Sequence, residues 1–81
     1  MRVTVTLHAQ AVDLAGRTDV PLGVAAGATA GDVRRALVAA HPELERLATV
    51  SALASDQEYL ADAALVEERA ALHFIPPVSG G

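Results

Sequence analysis

Val3, Val5 and Leu7 alternate with Thr4, Thr6 and His8. A period of two predicts a strand with one buried face. The segment Ala9–Arg17, containing Ala15-Gly16-Arg17, reads as a hairpin connection. Val20, Leu22 and Val24 then alternate again, with Pro21 on the other face. Proline cannot donate to a ladder, so this second strand is expected at a sheet edge. Ala26-Gly27-Ala28-Thr29 breaks it, and Thr29 followed by Asp32 resembles a capping box with a shortened acid. Val33, Ala36, Leu37 and Ala40 recur at helical spacing and predict an amphipathic helix. Arg34 and Arg35 fall off that stripe and read as a solvated face. His41 precedes Pro42, which ends the helix. Pro42 can open a further short turn, with Glu43 and Glu45 near its start and Leu44 and Leu47 as anchors.

Val50–Ala54 predicts a third strand, Ser55-Asp56-Gln57 a turn and Glu58-Tyr59-Leu60 a short return strand. Asp62–Arg69 reads as a connection in which Leu65 and Val66 are apolar plugs. Ala71–Ile75 predicts the last strand, with Leu72 and Phe74 facing one way and His73 and Ile75 the other. The order is strand, strand, helix, strand, strand, strand. A crossover through the helix brings the closing strand parallel to, and beside, the first. The expected fold class is α+β: a roll with one main helix packed on a mixed sheet of about five strands.

Composition narrows the chemistry. Eighty-one residues suffice for one domain with a modest core. Cysteine is absent, which excludes disulfides, thiolate metal sites and cysteine nucleophiles. Lysine is absent too, so no side-chain amine is available for a Schiff base or a phosphate loop. The net charge of −4 and the two aromatic residues, Tyr59 and Phe74, disfavour nucleic acid as a partner. No segment reads as a targeting peptide or is apolar enough to span a bilayer, so a cytoplasmic protein is expected, with no membrane partner.

Ser51, Ser55 and Ser79 find no setting for a catalytic triad. Glu67-Glu68 and the pair Glu43 and Glu45 lack the apolar surroundings that adapt a carboxylate to acid–base work, and read as surface charge. His8 and His73 are expected near one another on the exposed sheet face, as a solvated or contact-surface pair without a third ligand. The chain is therefore expected to bind no metal and no cofactor of its own.

The C-terminus is different. Phe74-Ile75 leads into Pro76-Pro77-Val78-Ser79-Gly80-Gly81. The prolines end the strand and stiffen the exit toward an extended path. Only slender side chains follow, and Gly80-Gly81 presents a bare backbone ending in a carboxylate. Two terminal glycines arise by chance in about one chain in two hundred. Such a tip can thread a narrow tunnel in a partner. A terminal carboxyl with a pKa of about 3.3–3.7 is ionised in the cell and a poor electrophile, so it must be activated from outside.

A small roll of this order ending in Pro76-Pro77-Val78-Ser79-Gly80-Gly81 resembles the MoaD family, the sulfur-carrying small subunits of molybdopterin synthase. The resemblance implies a β-grasp, ubiquitin-like fold, with residues 1–75 forming the domain and residues 76–81 a flexible tail. It implies that a MoeB-type adenylyltransferase, using ATP, adenylates Gly81. A sulfur donor enzyme then converts the adenylate to a thiocarboxylate. The tail, Pro76, Pro77, Val78, Ser79 and Gly80, inserts into a MoaE-type large subunit, in an expected heterotetramer, and sulfur passes to a pyranopterin precursor. Tyr59 and Ile75, opposite the predicted core residues Leu60 and Phe74, are expected to contact partners. Two features depart from the family pattern. Glu67-Glu68-Arg69-Ala70 stands where the family often has a Gly-Asp turn, and Val12-Asp13 where Arg-Glu is common. The alternatives are a ThiS-like carrier for thiamine or cysteine synthesis, and a β-grasp adaptor or protein modifier without sulfur cargo.

Overall fold

The computed structural model describes residues 1–78. Five strands form one sheet: β1 (Arg2–Leu7), β2 (Asp19–Gly23), β3 (Ala52–Ala54), β4 (Tyr59–Leu60) and β5 (Ala71–Ile75), in the order β2-β1-β5-β3-β4. β1 and β5 are parallel neighbours, and the other pairings are antiparallel. The register stacks Val3 on Leu22, Val5 on both Val20 and Leu72, and Phe74 on both Leu7 and Leu53. Every residue in that set is buried. Pro21 lies on edge strand β2, opposite Thr4.

Helix α2 (Ala30–Ala40) covers this apolar face with Ala30, Val33 and Leu37, all fully buried. Ala40, expected on the same stripe, is exposed. A 3-10 turn (Pro42–Leu44) and the short helix α3 (Glu45–Ala48) close one end of the core with Leu44 and Ala48. His41 ends α2 outside the helical region (φ −134°, ψ 77°), as its position before Pro42 favours. Glu43 accepts a hydrogen bond from the His41 ring at 2.9 Å. No helix among the described residues is long and apolar enough to cross a membrane.

The start of α2 is built as the sequence predicts. Thr29 Oγ1 accepts from the Asp32 backbone N–H at 3.2 Å, and Asp32 Oδ2 accepts from the Thr29 N–H at 2.9 Å. The Thr29 N–H and then the Arg35 guanidinium hold the Asp32 carboxyl below the usual carboxylate range. A depressed folded pKa means stability that is present above the unfolded value, about 3.9, and lost as pH falls through the lower folded value. Asp32→Asn is therefore expected to lower the urea midpoint at neutral pH. The gap should close once the pH falls below the lowered folded value, where wild-type Asp32 is protonated as well.

Four expectations are corrected. Ala9–Arg17 is not a plain hairpin connection: Gln10–Ala15 forms helix α1. Ala11 is buried in the core, Val12 and Ala15 pack against it, and Gly16 closes the helix in the left-handed conformation (φ 73°), its N–H on the Val12 carbonyl. No side chain caps its first turn, and Ala9 reaches a positive φ of 52°, so the usual start signal is missing. Arg34 is not a solvated side chain. Its Nη1 donates to the Ala48 and Ser51 carbonyls at 2.7 Å each, and Nη2 lies 3.3 Å from Asp62 Oδ1. It ties α2 to the chain that leaves α3. Leu65 is not a plug: it is 74% exposed, because its bridge to Thr29 turns it outward while Val66 turns in. The third strand is shorter than expected, since Thr49 and Val50 still hydrogen-bond back to Arg46 and Leu47.

The turn before β5 places a non-glycine residue in the left-handed region. Arg69 sits at φ 63°, with its N–H donated to the Arg2 carbonyl at 2.8 Å. This is the left-handed region that a glycine would occupy without steric cost.

Candidate functional site: the tail exit and the outer sheet face

The tail begins at the end of the sheet's central strand. β5 is held by β1 on one side and β3 on the other, with Leu7 opposite Phe74 and Ala52 opposite Ile75. Phe74 is fully buried two residues before the exit. Pro76 is buried as well, and Pro77 is exposed. Val78 is 94% exposed. Two successive residues without an N–H cannot extend a ladder, so pairing stops at Ile75. The base of the tail is thus fixed within a few residues of where its side chains become free. Ser79, Gly80 and Gly81 lie outside the described residues.

The period of two sorts the partner-contact candidates onto one surface. Leu72 and Phe74 point into the core, so His73 and Ile75 point out. Leu53 pairs with Leu60, and Ala54 pairs with Tyr59. Tyr59 is 72% exposed, and Ile75 is half-buried. The two border one shallow depression, together with Ala54 and the Ser55–Glu58 turn. An exposed tyrosine beside an aliphatic side chain offers a protein partner apolar area with a polar tip.

His8 and His73 meet on this outer face, as expected from the parallel pairing of β1 and β5. His8 Nε2 lies 3.0 Å from His73 Nδ1. The sequence reading missed the third member: Asp56 Oδ1 lies 2.8 Å from His73 Nε2. Asp56 belongs to the Ser55–Glu58 turn, where Ser55 Oγ accepts from the Gln57 and Glu58 N–H groups. An Asp in a turn carries no signal of which strand it will face.

Across the described residues no three His, Asp or Glu side chains converge as metal ligands. The chemistry this arrangement supports is presentation. A rigid body carries a slender tail from its central strand, beside a face able to dock.

The comparisons with known proteins agree with this architecture. Residues 5–81 match the ThiS family. The chain is 37% identical, over its whole length and 84% of the relative's, to the molybdopterin synthase sulfur carrier subunit of Arabidopsis thaliana. It superposes on SAMP1 of Haloferax volcanii with a TM-score of 0.90, at 31% identity and with both chains fully covered. It shares its fold with a molybdopterin converting factor subunit 1 of Pyrococcus furiosus, with a TM-score of 0.85 at 18% identity over 96% of this chain and 99% of that one. The β-grasp fold, the Pro-Pro exit from its central strand and the full-length match agree, and the chain belongs to the ThiS family.

Proposed function

We propose that the chain is the sulfur carrier of a molybdopterin synthase and that its Gly81 carboxyl is the carrying group. The observation that carries this reading is the 37% identity with the Arabidopsis carrier across all 81 residues, tail included. The placement of the tail base on the central strand supports it.

The cycle has three steps. A MoeB-type partner brings ATP, and the Gly81 carboxylate attacks its α-phosphorus, forming an acyl-adenylate and releasing pyrophosphate. A donor enzyme delivers sulfur at the sulfide level. It attacks the acyl carbon, the bond to AMP breaks, and a thiocarboxylate remains. The tail then enters a MoaE-type large subunit, where the sulfur attacks an electrophilic carbon of the pyranopterin precursor, a C–S bond forms and the oxygen substituent of that carbon leaves. Hydrolysis of the resulting acyl–sulfur bond returns the Gly81 carboxylate. This chain contributes the nucleophile and its positioning, and the partners contribute ATP binding and catalytic side chains. In this reading Pro76, Pro77, Val78, Ser79 and Gly80 act as the spacer that spans the large subunit's entry. Tyr59 and Ile75 form the docking face.

Reconstitution tests the proposal. The sulfur-loaded chain, mixed with the large subunit and the precursor, is expected to yield the dithiolene, while the unloaded chain yields none. A complex whose output is independent of loading would reject it. Tyr59→Asp and Ile75→Asp place a charge on the docking face without touching the core. Each is expected to weaken binding to the large subunit at least about tenfold by calorimetry, as loss of an interface anchor does. Isopeptide conjugates between Gly81 and lysines of other proteins would instead mark a modifier.

A further inference from the structure

The proposed sulfur cycle does not use the hydrogen-bonded row of Asp56, His73 and His8. Its geometry defines the protonation of the middle ring. Asp56 Oδ1 lies 2.8 Å from His73 Nε2. An ionised carboxylate only accepts, so His73 carries its proton on Nε2 and keeps a lone pair on Nδ1. That lone pair meets His8 Nε2 at 3.0 Å. The rings are tilted by 38°, with centroids 5.2 Å apart, so they meet nitrogen to nitrogen rather than stacked.

We propose that His8 Nε2 and His73 Nδ1 form a two-nitrogen chelate for a divalent first-row transition metal, with copper(II) preferred over zinc. A cation about 2.0–2.1 Å from each nitrogen would see them roughly 95° apart at their 3.0 Å spacing. That lies near the cis angle of a tetragonal site. The general order of divalent affinities also places copper above zinc. Binding requires no net proton loss from neutral rings. His8 shifts its ring proton from Nε2 to Nδ1, and the freed lone pair joins that of His73 on the metal. Asp56 stays on the opposite nitrogen of His73, where it fixes the ring's orientation and tautomer, as carboxylates do behind metal-binding histidines. Water completes the coordination, since no third protein ligand converges among the described residues.

The scaffold is rigid enough for the task. His73 lies in the central strand, paired with Thr6 of β1, and His8 follows directly after β1. The Asp56 turn is closed by the Ser55 N–H donating to the Glu58 carbonyl at 2.9 Å. The remaining histidine, His41, is engaged by Glu43 and serves as an internal control.

The test titrates copper(II), and separately zinc(II), into the full chain, followed by calorimetry and by NMR of the imidazole resonances. One equivalent of copper is expected, bound more tightly than zinc, with selective broadening of His8 and His73. His8→Ala is expected to weaken copper binding at least about tenfold, and Asp56→Asn about 10–100-fold. His41→Ala should leave it unchanged. Both site variants change exposed residues, and circular dichroism checks that they fold. His8→Gln provides a second variant of similar size. Copper bound equally well by His8→Ala, as by attachment to the N-terminal amine alone, would overturn the proposal. So would a tighter zinc complex, or a pair that titrates with protons and gives no response to metal.

Discussion

Deleting Gly81 is expected to abolish sulfur loading while leaving the urea midpoint of the protein unchanged. The two halves of this result have separate causes. Among the described residues the core runs from Val3 to Phe74, and the last buried position is Pro76. Val78, the last of the described residues, is almost fully exposed. Removal of Gly81 leaves Gly80 as the terminal carboxyl, one residue short of the activating centre. A displacement of one residue moves the reacting carbon by more than about 3 Å, and a misplacement near 1 Å can already cost about a hundredfold in rate. Adding a single alanine after Gly81 should fail for the same reason, with a methyl group introduced at the tip. Pyrophosphate release by the adenylyltransferase measures the loading step, and urea denaturation measures the fold. A variant that folds and still loads at the wild-type rate would show that the tip's length is irrelevant.

The second large effect concerns the body that aims the tail. Phe74→Ala is expected to cost about 3–5 kcal/mol, the range for truncating a buried phenylalanine. An 81-residue domain has a total stability of about 4–12 kcal/mol, so this one change removes a large share of it. Phe74 is the only phenylalanine in the chain, is fully buried, and pairs with Leu7 on one side and Leu53 on the other. No neighbour of comparable size can fill the space. Phe74→Leu should be far milder, within about 1.5 kcal/mol, because it keeps most of the volume. Phe74 lies two residues before the exit, so the alanine variant should also loosen the base of the tail. Slower loading at temperatures where the variant is still folded would report this. An unchanged midpoint in Phe74→Ala would mean that the central strand does not hold the sheet together.

Much of this was legible along the chain, for reasons that differ by element. The strands could be read because one face of the sheet is buried and the other is not, so burial alternates strictly in β1 and β5. The parallel neighbourhood of β1 and β5, and hence the meeting of His8 and His73, followed from the order of elements. Tyr59 and Ile75 could be placed on one face by the same period of two. Helix α1 was hidden because it is short and begins without a capping side chain. The burial of Arg34 depends on carbonyls of Ala48 and Ser51, which reach it only after the chain has turned back. Leu65 and Val66 are adjacent and equally apolar, and only the bridge to Thr29 decides which one turns inward. Asp56 was missed for a similar reason, as its aim is set by a turn. Apart from α1, what escaped the sequence depends on acceptors and registers distant along the chain.

The most direct test of the central claim is a fragment-resolved mass spectrum of the intact chain. It would be taken after incubation with the adenylyltransferase, ATP and a sulfur donor. The account predicts one oxygen replaced by one sulfur, located on the C-terminal fragment that contains Gly81, and no change when ATP is withheld. Sulfur found elsewhere on the chain, or an unaltered Gly81 in a preparation that still builds the dithiolene, would contradict it.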